Sequence, residues 1–104
     1  MLVAAIAVAV LVMRHQVAAD PYVQDVLVLN GHHDRGREIF QMNCAVCHGL
    51  EANGEVGPSL LGVSDRKSES RLIQQVVSGQ TPPMPQFQPE PQDMADLLEY
   101  LEQL

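Results

Sequence analysis

The chain is short of aromatic residues and of cysteine, and its basic residues stop two-thirds of the way along. Among 104 residues there are two Phe, two Tyr, no Trp and two Cys, and no Lys or Arg follows Arg71. Each shortage excludes something. Two cysteines cannot build a four-thiolate zinc site, which needs a second CxxC pair. Six Lys and Arg against thirteen Asp and Glu, a formal charge of −7, disfavour nucleic-acid binding, because phosphate contacts need cations. No alternation of strand and helix patterns surrounds the cysteines, which argues against a thioredoxin-like redox pair. So few bulky side chains also leave a thin core, and a domain this small commonly needs a staple.

What is present is concentrated in Cys44-Ala45-Val46-Cys47-His48. Two thiols three positions apart, with imidazole directly after the second, form the c-type haem attachment pattern. The thiols add to the two vinyl groups and the imidazole of His48 binds the iron. His32 and His33 lie upstream and adjacent, which does not match the spacing of a Cys2His2 zinc site. They suit a solvated pair at a helix entrance better than alternative iron ligands. A macrocycle tied by two thioethers supplies the missing core, so haem c, one per chain and covalent, is the expected cofactor.

A second axial ligand is expected, and Met paired with His raises the reduction potential relative to two histidines. Met1 and Met13 belong to the hydrophobic N-terminus, Met42 is too close to the attachment site, and Met94 falls on the apolar stripe of the last helix. Met84 remains, in Thr81-Pro82-Pro83-Met84-Pro85, where prolines fix φ and remove donors, giving a stiff presenting loop. A ligating histidine normally passes its other N–H to a carbonyl, and Pro58, in Gly57-Pro58-Ser59-Leu60, is the candidate acceptor for His48. With sulfur and imidazole on both sides, the iron has no open position for substrate, and a carrier of electrons is expected rather than an enzyme. The alternatives are a haem sensor or peroxidase in which Met84 dissociates, and a regulatory subunit of a membrane complex.

Gly36-x-x-x-Phe40 ahead of Cys44-x-x-Cys47-His48, then Gly57-Pro58-x-Leu60 and Met84-Pro85, resemble the class I cytochromes c over about residues 34–104. That resemblance implies an all-α fold of three to four helices wrapped round haem, with Gly36 and Phe40 crossing the C-terminal helix. The flanking stretches Asp20-Pro21-Tyr22-Val23-Gln24, Leu29-Asn30-Gly31, Ser78 to Pro85 and Phe87 to Pro91 are similar to cyanobacterial cytochromes of the cM type. This implies a membrane-anchored carrier with its haem domain in the thylakoid lumen or periplasm. It would exchange electrons with photosynthetic or respiratory complexes, among them a terminal oxidase, docking transiently as a monomer.

Residues 1–19 are expected to be a hydrophobic membrane anchor or an export signal. Met1 to Met13 is continuously apolar, and Arg14 and His15 end the run. Thirteen residues make roughly 20 Å of helix, short of a bilayer core of about 30 Å. Val17-Ala18-Ala19 before Asp20 resembles a signal cleavage site, but no basic region precedes the run and Arg14 and His15 stand where charge is uncommon. A spanning helix that begins upstream of Met1 fits these features better.

Residues 20–33 are expected to form a linker with a short helix, from Asp20-Pro21 to a stop at Asn30-Gly31. Tyr22, Val23, Val26, Leu27 and Leu29 suit an amphipathic helix that either packs on the domain or stands off the membrane, although Val26 to Leu29 also suits extended chain. The haem domain, 34–104, should hold three helices. One covers about Asp34 to Asn43. A middle one lies within Arg66 to Gln80, capped near Ser68, with Leu72, Ile73, Val76 and Val77 as its stripe and Gly79 as its stop. The last starts near Pro91, with Met94, Leu97, Leu98, Leu101 and Leu104 at helical spacing. Phe87 is placed to shield the haem edge and Tyr100 to pack at the Gly36/Phe40 crossing. The acids Glu90, Asp93, Asp96, Glu99 and Glu102 are expected on a solvated face. Since haem supplies much of the core, a Cys44→Ala/Cys47→Ala chain should show little helix in far-UV circular dichroism; a native-like spectrum would contradict this.

Overall fold

Capping and proline signals set the helix boundaries in the computed structural model, which describes residues 1–16 and 19–104. α1 (Leu2–Ala19) carries the apolar run. The Val17-Ala18-Ala19 motif lies, at its first two positions, outside the described residues. Asp20 caps α2 (Pro21–Leu27): its carboxylate accepts from the Tyr22 amide at 2.8 Å, and Pro21 at N1 needs no donor partner. α3 (His33–Asn43) leads into a single turn, α4 (Ala45–His48). After a long loop come a second single turn, α5 (Val63–Arg66), and the middle helix α6 (Glu69–Ser78). Ser68 caps α6, accepting from the Arg71 amide at 3.4 Å, and Gly79 ends it in the left-handed conformation at φ 62°. α7 (Pro91–Glu102) closes the chain, with Pro91 in its first turn. The fold is all-α: among the described residues four multi-turn helices (α2, α3, α6 and α7) and two single turns follow α1, and no strand occurs.

The core forms where α3 crosses α7. A Cβ on Gly36 would collide with the Asp96 carbonyl oxygen, so only glycine permits this approach. Phe40, one turn on, is fully buried, and its ring lies 5.2 Å from that of Tyr100. Met94, Leu97, Leu98 and Leu101 of α7 belong to the same buried cluster, which Leu72, Ile73 and Val76 of α6 extend.

Two expectations need correction. α2 stops at Leu27, short of Asn30-Gly31. Gly31 serves close approach instead of a helix stop: a Cβ there would strike the Ala95 carbonyl oxygen. The extended chain at this point is pinned to α7, with the Asn30 carbonyl accepting from Gln92 Nε2 at 2.9 Å and the His32 amide donating to Asp96 Oδ1 at 2.8 Å. Of the two courses open to the short helix in residues 20–33, it takes the one that packs on the domain. Val23 and Val26 are each 1% exposed, inside the one core cluster. Asp96 is the second correction. It is 4% exposed, not on the solvated face, because its carboxylate is used up by His32 and by Gln92 Nε2 at 3.0 Å.

α1 differs in kind. Its large apolar side chains from Leu2 to Met13 are exposed, and among the other helices it contacts α2 and α6. Among the described residues no single helix is long and apolar enough to cross a membrane; Leu2–Gln16 and Pro21–Leu27, bent by 63°, satisfy length and composition together.

Tyr22 ties α2 down by donating from its hydroxyl to the Pro89 carbonyl at 2.6 Å. Burial, then the charges of Glu90 and Asp93, push its phenol from 10.0 up to about 12. A group whose folded value is raised contributes stability below its unfolded value and loses it as pH climbs toward the folded one. Urea midpoints should therefore fall between about pH 10 and 12, and Tyr22→Phe should remove part of that fall while costing about 1 kcal/mol at neutral pH. A Tyr22→Phe protein with an unchanged alkaline profile would disprove this.

Candidate haem site

The attachment motif follows α3 without a gap. Cys44 caps the end of α3, its amide donating to the Phe40 carbonyl at 2.8 Å, so the helix packed at Gly36 and Phe40 fixes where the first thiol stands. The next turn is closed by the Cys47 and His48 amides, which donate to the Cys44 carbonyl at 3.2 and 3.1 Å. A helical turn puts residues three apart on one side, so both thiols share a face and His48 follows directly. Neither cysteine is in a disulfide, and both are half-buried. Burial, with Cys47 second, pushes the Cys44 thiol up to about 11.

His48 is 8% exposed. Its Nδ1 lies 2.8 Å from the Pro58 carbonyl oxygen. A carbonyl only accepts, so Nδ1 carries the hydrogen, and the lone pair is left on Nε2. The loop after the motif folds back to bring Pro58 there: the Gly57 amide donates to the Cys47 carbonyl at 2.6 Å and the Gly54 amide to the His48 carbonyl at 2.7 Å. Gly57 forms the wall behind the ring. A Cβ at that position would stand 2.8 Å from Cε1 and 2.9 Å from Nδ1 of His48.

Met84 lies across from this turn in sequence, and its loop is held by α6. Thr81, Pro82, Pro83 and Pro85 are exposed, whereas Met84 is turned inward against the core. The Met84 amide donates to the Thr81 carbonyl at 3.0 Å, closing a turn, and the Phe87 amide donates to the Val76 carbonyl at 3.0 Å. Phe87 and Leu60 are half-buried against the same cluster. The other methionines stand elsewhere: Met1, Met13 and Met42 are exposed, and Met94 is 1% exposed in the α3–α7 junction. His32 is exposed, and His33 tilts over Tyr100 at 5.3 Å. No cluster of three or more His, Cys, Asp or Glu suited to a metal ion occurs among the described residues. Sequence patterns missed Gln75, whose Nε2 lies 3.8 Å from Met84 Sδ. One of two adjacent glutamines, Gln74 and Gln75, on a helix carries no signal of that kind.

The donor set suits haem. Two unpaired thiols share one turn, an imidazole has its tautomer fixed so that Nε2 is the free donor, and a glycine wall fits the ring's face. Comparison with known proteins agrees. A family model described as cytochrome c oxidase, cbb3-type, subunit III matches residues 31–101. A protein of Synechocystis sp. described as cytochrome c-553-like is 69% identical over 85 residues, 82% of this chain and 81% of its own length. Cytochrome c-550 of Bacillus subtilis is 40% identical over 42 residues, 40% of this chain and 35% of that one. The crystal structure of cytochrome cL from Hyphomicrobium denitrificans is similar with a TM-score of 0.60 at 26% identity, over 83% of this chain and 52% of the other. This chain thus spans about half the length of that protein. The attachment motif, the all-helical fold and these relatives together establish that the chain belongs to the cytochrome c family and carries covalently bound haem c.

Proposed function

We propose that this protein is a one-electron carrier whose haem is linked through Cys44 and Cys47 and ligated by His48 and Met84. The observation that carries the reading is the inward turn of Met84 in a loop whose other members from Thr81 to Pro85 are exposed. The haem supplies the redox chemistry, one electron gained or lost at iron without a bond to substrate. The protein's residues do the rest. The Pro58 carbonyl holds the His48 ring in one orientation, and prolines beside Met84 keep its loop from collapsing into helix. Ligands held rigidly need little rearrangement when the charge at the metal changes.

Val46, Leu50 and Val56 expose apolar surface beside the attachment turn. A small patch of this kind suits brief docking to redox proteins or membrane complexes, a terminal oxidase among them, through a weak interface. The similarity to the Synechocystis protein supports a haem domain in the thylakoid lumen or periplasm. The exposed apolar side chains of α1 support membrane anchoring through residues 1–19, with the carrier acting as a monomer. Photosynthetic or respiratory electron transport is the proposed setting.

Two variants test the ligand set. Met84→Ala should abolish the far-red sulfur-to-iron charge-transfer band of the ferric protein and admit carbon monoxide to the ferrous one. The wild-type ferrous protein should bind almost none; strong binding would favour a sensor or peroxidase instead. Gly57→Ala should press on the His48 ring and cost the haem-loaded protein about 1–3 kcal/mol in thermal unfolding. An unchanged melting temperature would show that the ring does not rest against Gly57.

A further inference from the structure

Gln75 is half-buried on α6, and its amide nitrogen faces two acceptors of the Met84 loop. Nε2 lies 3.2 Å from Thr81 Oγ1 and 3.8 Å from Met84 Sδ. One amide nitrogen carries two hydrogens, so both contacts can be made at once. Thr81 and Met84 are also the two ends of one turn, joined by the Met84 amide and the Thr81 carbonyl at 3.0 Å. Farther along, Gln86 Nε2 donates to the Ser78 carbonyl at 3.3 Å and the Phe87 amide to the Val76 carbonyl. Those bonds hold the loop as a whole. Among the described residues, Gln75 alone directs a side-chain donor at the sulfur.

We infer that Gln75 is a positioning residue for the Met84 thioether: it selects which sulfur lone pair faces the iron and raises the reduction potential. The inference rests on Met84 being the ligand. A thioether sulfur has two lone pairs. A hydrogen held against one leaves only the other free, which fixes the orientation of the Met84 methyl group. The same hydrogen withdraws electron density from sulfur, so the ferric state, which needs that density more, is the less stabilised of the two. A purely structural role would run through Thr81, whose hydroxyl ties α6 to the start of the turn, and would leave sulfur unaffected.

Four variants of the haem-loaded protein separate these roles, measured by redox titration, the ferric far-red band, the proton resonance of the Met84 methyl and imidazole affinity. Gln75→Leu should lower the potential, shift or broaden the methyl resonance, and raise ferric affinity for added imidazole roughly 3- to 10-fold, the worth of one ordinary hydrogen bond. Gln75→Glu keeps the shape but cannot donate when ionised, and should also lower the potential; it decides the matter if Gln75→Leu fails to load haem. Thr81→Val removes only the hydroxyl and should leave potential and methyl resonance unchanged. The inference is overturned if the Gln75 variants match wild type, or if Thr81→Val moves the potential as far as they do. A Met84→Ala protein that keeps the far-red band would instead remove the ligand assignment on which the inference stands.

Discussion

The close crossing of α3 over α7 at Gly36 is the constraint from which the haem site is built. Backbone meets backbone there because no Cβ intervenes, and Phe40 is then driven into the junction beside Tyr100, Met94 and Leu97. That contact fixes the axis of α3, and the attachment turn begins directly after its last residue. Cys44 is at once the cap of α3 and the start of the turn that carries Cys47 and His48. Side-chain packing some distance from the motif therefore sets the position of both thiols. The reason is economy of core. With four aromatic residues in the whole chain, the described residues form one substantial apolar cluster, and the attachment turn is mounted on it.

The two proposed iron ligands are held by different means. His48 sits on a helical turn, with a backbone carbonyl behind it and a glycine against the ring. A backbone acceptor is a firm support, since Pro58 cannot turn its carbonyl without moving a loop bonded to Cys47 and His48. Met84 has a long, unbranched side chain and would otherwise be the loosest group in the site. Its support comes from the main chain's poverty of options between Thr81 and Pro85, and from α6, to which the loop is joined at Gln75, Val76 and Ser78. α6 in turn packs on α7 through Leu72, Ile73 and Val76. Both supports therefore end in the same core, which is what keeps imidazole and thioether in register.

Much of this was legible in the sequence wherever a pattern repeats or a motif has fixed spacing. α6 appeared through Ser68, the stripe from Leu72 to Val77, and Gly79; α7 through Pro91 and its leucines; the attachment turn through five consecutive residues. The misreadings share one cause. Asp96 carries the charge of a surface residue, and only the tertiary approach of His32 and Gln92 makes its burial tolerable. Gly31 has the look of a helix stop, whereas its missing Cβ serves the passage over Ala95. Gln75 was invisible for the same reason: its partners are six and nine residues away on a loop of unpredictable path. Long-range polar contacts leave no periodic trace.

The burial of α2 also changes what anchoring through α1 would mean. A free segment over residues 20–33 would extend to roughly 45 Å and let the domain range widely from a membrane. With Val23 and Val26 in the core, Tyr22 bonded to Pro89 and the chain at Asn30 to His32 fastened to α7, that reach is lost. With α1 held in a membrane, the domain would stay close to that surface. Partners would then be selected as much by how far their own redox centres stand from the membrane as by the chemistry of the patch. For a protein with thirteen acids and six bases in its sequence, close tethering would also limit which of the exposed charges a partner meets. Glu90 and Asp93 lie at the start of α7 beside the Tyr22 contact, whereas the exposed Glu51 and Glu55 are the sequence neighbours of the exposed Leu50 and Val56 near the attachment turn. Charge and apolar surface would thus meet a partner together beside the attachment turn.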